Sequence, residues 1–219
     1  MPIPNEKEPN IRTTARERVY KTLREWIVTG TLLPEERLND VEIANYFSVS
    51  RTPVREALQM LSEQKLVTMV PSSGTFVSSI DQKDMCYVYE LLGGLQCYAV
   101  EQGISRITDE DLTVLRQTNE TFYHYAECCD AVEAIKADRK FHHRIAELAG
   151  NPYLINFTEQ LMLQAHRNEF RFFRENVHSE RSYETHKRIV AALEKKDVRT
   201  AKILVQQNWR VSIENDETK

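Results

Sequence analysis

Residues 38–77 read LNDVEIANYFSVSRTPVREALQMLSEQKLVTMVPSSGTFV, and this stretch decides the fold. Asn39 followed three residues later by Glu42 has capping-box spacing, and Ile43, Ala44 and Phe47 supply the apolar side of a short helix. Ser48-Val49 makes a turn. Ser50 then takes the N-cap of the next helix, with Pro53 in the first turn, where its missing N–H would have no intrahelical partner anyway. Val54, Ala57, Leu58 and Leu61 recur at helical spacing and form the packing stripe. Leu66 to Val70 and Thr75 to Val77 read as strands joined by a Pro71-Ser72-Ser73-Gly74 turn. Two short helices and a hairpin in this order lay out a winged helix-turn-helix, an architecture that reads double-stranded DNA.

Upstream, Val19, Leu23, Trp26 and Ile27 predict a helix from Thr14 to Thr29 that holds the others in place, and Gly30 and Pro34 stop it. Arg51 and Arg55 fall one turn apart on an exposed face beside the stripe, with Thr52 and Gln59 next to them. A guanidinium there can take guanine bidentately or grip a phosphate. Gly74 at the wing tip lets the backbone approach a sugar-phosphate edge. The chain has a formal net charge of -4 and a pI of about 5.9, whereas proteins that coat DNA are basic. Affinity must therefore come from a local patch at Arg51, Arg55 and Arg37, and a histone-like packaging role is excluded.

From Asp81 onward the apolar spacing is helical, with segments at Gln82 to Gln102, Asp109 to Cys128, Ala131 to Ala149, Pro152 to Glu175, Ser182 to Lys195 and Val198 to Ile213. Thr108, Asp130, Asn151 and Asp197 are caps and Gly150 a stop. Six or seven helices with short connections make an antiparallel all-α bundle. The fold class is mainly α, with domains at 14–79 and 80–215, a flexible start over 1–13 and a tail over 216–219. No run is long and apolar enough to span a membrane, and the polar N-terminus is unlike a signal peptide, so a cytoplasmic location is expected. Cys86, Cys97, Cys128 and Cys129 lack zinc-site spacing and are expected to be reduced and mostly buried.

Asp138 and His142, four apart, share one helix face, as two metal ligands or a hydrogen-bonded pair would, and His186 lies on the fifth bundle helix. A bundle core is a usual place for a metal or ligand site built from facing helices. The same residues with an open coordination position would suit a metal-dependent enzyme, but no nucleophile or general base accompanies them.

The segment from Thr14 to Ser79 resembles the DNA-binding domain of the GntR family of bacterial transcription regulators; the nine residues Ser50 to Leu58 match its usual S-R-T-P-V-R-E-A-L string. The resemblance implies DNA contacts from Arg51, Thr52 and Arg55 on the recognition helix, with Gly74 on the wing; Ser50 at the helix start and Arg37 of the basic patch complete the expected DNA-binding set. Val41 stands where the family often has a DNA-touching arginine, and Ser48 and Lys65 replace glycines. D-x-x-F-H, N-P-x-L and the later E-x-H resemble the FCD ligand-binding domain of the FadR subfamily. That resemblance implies a homodimer on a palindromic operator, repression as the usual mode, and a small-molecule effector. It also implies a divalent metal of the zinc or nickel class, which would hold a carboxylate effector through Asp138, His142, His186 and a fourth position occupied here by Asn208. An amide oxygen is a weaker ligand for such metals than imidazole. Leu92 and Gln96 replace the family's frequent Arg and Glu, leaving Arg167 or Arg171 to pair with an effector carboxylate. His143 and His166 carry no family role and are expected to be structural or exposed.

Overall fold

The structure, a computed structural model, describes residues 14–173 and 179–216, with side chains through 170 in the first span and through 210 in the second. The expected termini over 1–13 and 217–219, and the helix end expected at Glu175, lie outside the described residues. The chain divides into two compact units, one of 35–78 together with the N-terminal part through Trp26, the other of 27–34 and everything from Ser79.

The first unit contains α1 (Ala15–Val28), β1 (Arg37–Leu38), α2 (Asp40–Phe47), α3 (Arg51–Glu63), β2 (Val67–Val70) and β3 (Gly74–Val77). Thr14 and Glu17 cap α1 reciprocally, each side chain accepting from the other's backbone N–H. Asn39 accepts from the Val41 N–H at 3.0 Å, and its amide donates to Glu42 at 2.9 Å. The Glu42 carboxylate thus braces the cap side chain and not the cap N–H that capping-box spacing suggests. Ser50 has the extended backbone of an N-cap but makes no side-chain cap bond, so its exposed hydroxyl remains available. Val54, Ala57, Leu58 and Leu61 are all buried, as are Val19, Leu23, Leu38, Ala44, Leu66 and Val77 of the same unit. Each fully buried aliphatic of this size contributes roughly 1.5–3 kcal/mol. The buried side of α2 is thinner than its sequence suggests: only Ala44 is fully covered, while Phe47 packs with Trp26 and Tyr46 in an aromatic cluster.

The wing is larger than a hairpin. Among the described residues it is a three-stranded antiparallel sheet in the order β1-β3-β2, with Leu38 opposite Thr75 and Val70 opposite Gly74. Gly74 adopts φ 133, which a side chain would strain, and a Cβ there would meet the Arg37 guanidinium at 3.2 Å. Ser48 and Lys65, the two glycine replacements, keep the left-handed conformation that favours glycine, with φ 53 and 57. They carry the turns at a cost on the order of 1–2 kcal/mol each.

The second unit is built from α4 (Gln82–Gly103), a 3-10 turn (Ile104–Arg106), α5 (Asp109–Glu127), α6 (Ala131–Glu147), α7 (Pro152–Phe173), α8 (Ser179–Glu194) and α9 (Val198–Asp216). Thr108, Asp130, Asn151 and Asp197 each accept from a first-turn N–H, and Gly150 at φ 63 closes the turn after α6. Turns of three or four residues between α5 and α6, α6 and α7, and α8 and α9 force those neighbours to reverse direction. α4 packs against α9, α7 and α6, while α5 packs against α6 and α8. Tyr89, Leu92, Leu115, Phe141, Ile145, Met162, Ile189, Leu193 and Trp209 form the main core between them. The cysteines depart from expectation: Cys86 and Cys97 are half-buried, and Cys128 and Cys129 are exposed. The last two occupy the α5–α6 turn, where Cys129 takes φ 59 and has no helix face to bury against.

Candidate nucleic-acid interface and metal centre

On the first unit, Arg51, Thr52, Arg55 and Gln59 lie exposed along α3, as their spacing requires. They do not wave freely. Asp40, the first residue of α2, holds both arginines: Arg51 Nη2 and Arg55 Nε each donate to Asp40 Oδ2 at 2.9 Å. Hydrogen bonds from Arg55 and then Arg51 hold the Asp40 carboxyl below the usual aspartate range. Sequence reasoning passed over Asp40, because its pairing partners lie 11 and 15 residues away on another helix. Beside this pair, a groove of about 730 Å³ runs between α3 and the wing, lined by Arg37, Asp40, Glu42, Arg55, Gln59, Met69 and Gly74 among others.

Surface ion pairs contribute only about 0–1 kcal/mol, so the Asp40 clamp acts mainly on availability of charge. Removing it with Asp40→Asn is expected to leave thermal stability nearly unchanged while strengthening binding to an unrelated duplex several-fold at roughly 0.1 M salt. Fluorescence anisotropy would measure this; unchanged or weaker binding would contradict a shielding role.

In the second unit, α6 and α8 bring Asp138, His142 and His186 together in the buried core, with ligand atoms within 4.8 Å of one another. His142 Nε2 stands 3.8 Å from Asp138 Oδ2, and His186 Nε2 3.7 Å from Asp138 Oδ1. The surrounding amides set the ring tautomers. Gln96 Oε1, already accepting from Trp209 Nε1 at 3.0 Å, lies 3.0 Å from His142 Nδ1, so that nitrogen carries the proton. Asn119 is oriented by its donation to the Tyr183 carbonyl, and its Oδ1 lies 2.9 Å from His186 Nδ1. Phe141 stacks on His186 with centroids 4.1 Å apart. Both unprotonated Nε2 atoms therefore stand on the side of the Asp138 carboxylate, His142 Nε2 with the Asn208 amide nitrogen also near it at 3.4 Å.

Such an arrangement is electrostatically unfavourable unless a cation lies between the groups. Burial pushes His142 down to about 3 and His186 down to about 4, and against its own burial the three surrounding histidines, His142 foremost, draw Asp138 down to about 2. At neutral pH the set is thus one carboxylate and neutral imidazoles, the forms that bind metal. Ligand atoms around one zinc-class ion are separated by about 3.4 Å when each bond is roughly 2.0–2.1 Å, close to the separations found here. The donor set fits such an ion.

The neutral imidazoles also carry a pH signature. Unfolded histidines titrate near 6.5 while these two remain neutral to about 3 and 4, so between those values the unfolded chain binds more protons. Metal-free protein should accordingly lose stability as pH falls from about 6.5, on the order of 2 kcal/mol per histidine by pH 5. Asp138 has a depressed pKa and keeps its stabilising effect until pH drops below 3.8 toward 2. Urea midpoints at pH 7 and 5 measure the change; a flat profile would contradict buried neutral rings.

Asn208 presents its amide nitrogen to His142 Nε2 at 3.4 Å. Leu92 is fully buried in the core, and Gln96 is the residue that orients His142. His166 takes the buried of its two expected placements: it is 1 % exposed, with Nε2 3.5 Å from Asp138 Oδ2. Its pattern on α7 gave no signal because its partner is on α6. His143 is half-exposed between Glu147 and Glu159, 3.3 Å from each. Arg167 is buried on α7, where burial lowers its guanidinium to about 10 and leaves it charged at neutral pH. The side chain of Arg171 lies outside the described residues.

Among the described residues, no helix is long and apolar enough to cross a membrane. Residues 15–77 match the family described as bacterial regulatory proteins, gntR family, and residues 87–210 match the FCD domain. The HTH-type transcriptional regulator YdhC of Bacillus subtilis is 30% identical over 184 residues, covering 84% of this chain and 82% of that protein. The HTH-type transcriptional repressor GlaR of Escherichia coli is 27% identical, with 86% and 90% coverage. The solved structure of E. coli McbR/YncC shares the fold with a TM-score of 0.83 at 22% identity, covering 94% of this chain and 98% of that one. With both family matches on adjoining segments and relatives that are transcription regulators, the enzyme alternative has no support, and the chain belongs to the GntR family of bacterial transcription regulators, with a winged helix-turn-helix DNA-binding domain and an FCD effector domain.

Proposed function

We propose that this regulator is a homodimeric repressor whose operator affinity is set by a divalent cation and a small carboxylate effector in the helical domain. The observation that carries the reading is the pair of imidazole lone pairs aimed at the buried Asp138 carboxylate, with His186 Nε2 lacking any hydrogen-bond partner. Asp138, His142 and His186 would hold the ion, which supplies a Lewis-acidic anchor for an anionic effector. Gln96 and Asn119 keep the two Nε2 atoms pointed inward, and burial excludes competing water. Arg167, a buried cation on α7, is the side chain best suited to a second carboxylate contact.

DNA reading is assigned to Arg51, Thr52 and Arg55 on α3 and to Arg37 and Gly74 at the wing, with Ser50 on a phosphate. One winged helix covers one half-site, so a two-fold dimer on a palindrome follows from the geometry of duplex reading. Support for the dimer face comes from α4, where Tyr87, Leu91 and Tyr98 are 64%, 57% and 48% exposed along one stripe with Gly94. The domain limits 14–79 and 80–215 suit this division of labour. Effector binding would alter operator affinity by favouring one of two states.

Elemental analysis of untagged protein beside His142→Ala tests the cation directly. The expected result is one ion per chain in the wild type and none in the variant; absence of metal in both, after purification without chelators, would contradict it.

A further inference from the structure

Three donors leave a zinc-class ion one short of its usual four. Two side chains compete for that position. Asn208 is half-buried with its amide 3.4 Å from His142 Nε2, and its oxygen is a weaker ligand for a zinc-class ion than imidazole. His166 is buried, is an imidazole, and of its ring nitrogens Nδ1 has no hydrogen-bond partner while Nε2 faces the Asp138 carboxylate at 3.5 Å. Burying a polar group without a full set of partners is costly, so a buried ring whose polar neighbour is a carboxylate at 3.5 Å signals a missing partner. Its Nε2 lies 3.5 Å from Asp138 Oδ2, nearer than the 3.8 and 3.7 Å of His142 and His186.

The geometry points to His166, on α7, as the fourth protein ligand of the ion held by Asp138, His142 and His186. This rests on the cation reading above and deepens it: the site is a three-helix centre spanning α6, α7 and α8, and Asn208 on α9 lies outside the inner ligand set. Asp138 is the shared member, with Oδ1 toward His186 and Oδ2 toward His142 and His166. Glu169, one turn beyond His166, forms with His166 and Asp138 a second group of ligand atoms within 4.8 Å of one another, which shares Asp138 with the group of His142 and His186; an ion drawn toward Asp138 Oδ2 would bring His166 into the first group. Three imidazoles and one carboxylate suit zinc, cobalt or nickel, whereas a ligand set with the Asn208 oxygen would shift preference toward harder cations.

The test is cobalt(II) and zinc(II) binding to the full-length, untagged protein and to His166→Phe, His166→Ala, Asn208→Ala and His142→Ala. His166→Phe is expected to lower metal affinity by more than the roughly 10–100-fold that outer-shell changes cause. It should also alter the visible spectrum of the cobalt form. Asn208→Ala should retain both affinity and spectrum. Added imidazole should restore the spectrum of His166→Ala, which separates loss of a ligand from loss of folding. Wild-type affinity and spectrum in His166→Phe would overturn the assignment. So would loss of metal in Asn208→Ala alone, or two ions per chain. If neither the wild type nor His142→Ala binds metal, the cation reading itself fails; if His142→Ala loses the ion while both His166 variants keep it, only the role of His166 fails.

Discussion

The double replacement Arg51→Ala/Arg55→Ala is expected to abolish operator recognition while leaving the fold intact. A bidentate base contact discriminates by about 1–3 kcal/mol, so two lost from each recognition helix of the proposed dimer amount to at least about a 1000-fold weaker complex. Both side chains are more than half exposed, and among the described residues each pairs with Asp40. Their removal therefore takes away surface pairs of small energetic weight and no core contact. Anisotropy with an operator isolated by selection from random duplexes, alongside circular dichroism, makes the comparison. Operator binding within a few-fold of wild type would mean that α3 does not read the bases. A uniform loss on specific and unrelated DNA alike would assign the arginines to phosphates instead.

Gly103→Ala is expected to be the most damaging single methyl in the helical domain. A Cβ at Gly103 would lie 2.2 Å from the Leu148 carbonyl oxygen and 2.4 Å from its carbon. Backbone cannot step aside as a flexible side chain does. The contact joins the end of α4 to the end of α6, where Ala99, Ala146 and Leu154 form a small core and Arg106 donates to the Leu148 and Ala149 carbonyls. Forcing the two helices apart loosens that core and strips the capping arginine. The cost lies at or beyond the upper end of the roughly 1–3 kcal/mol typical of overpacking, out of a total on the order of 5–15 kcal/mol. A fall in melting temperature of about 6–12 °C follows for a domain of this size. A melting point within a degree or two of wild type would show that the junction is more compliant than its geometry implies.

The elements that could be read from the sequence are those whose signals are local. The α3 stripe, the in-turn proline and the caps at Thr108, Asp130 and Asp197 each act within one turn, and they appear where expected. β1 was not legible, because two residues carry no alternation and Leu38 is a strand only through its pairing with Thr75. The left-handed turns at Ser48 and Lys65 were signalled only by the glycines they replace. Asp138 and His142 could be linked by their spacing on α6. Gln96 and Asn119 could not, since each finds its histidine across 46 or 67 residues of chain, and their roles exist only once α4 faces α6 and α5 faces α8. His166 could not be singled out for the same reason. Nothing on α7 distinguishes it, and its significance comes from Asp138 on a different helix.

On the proposed function, occupancy of the Asp138 centre controls DNA binding. Operator affinity should be measured by anisotropy on metal-loaded and metal-stripped wild type, with His142→Ala as the unresponsive reference. The account predicts a change of about 5–150-fold on loading, and none in the variant. Equal operator affinity for loaded and stripped wild type, with the ion bound stoichiometrically in the first, would contradict it.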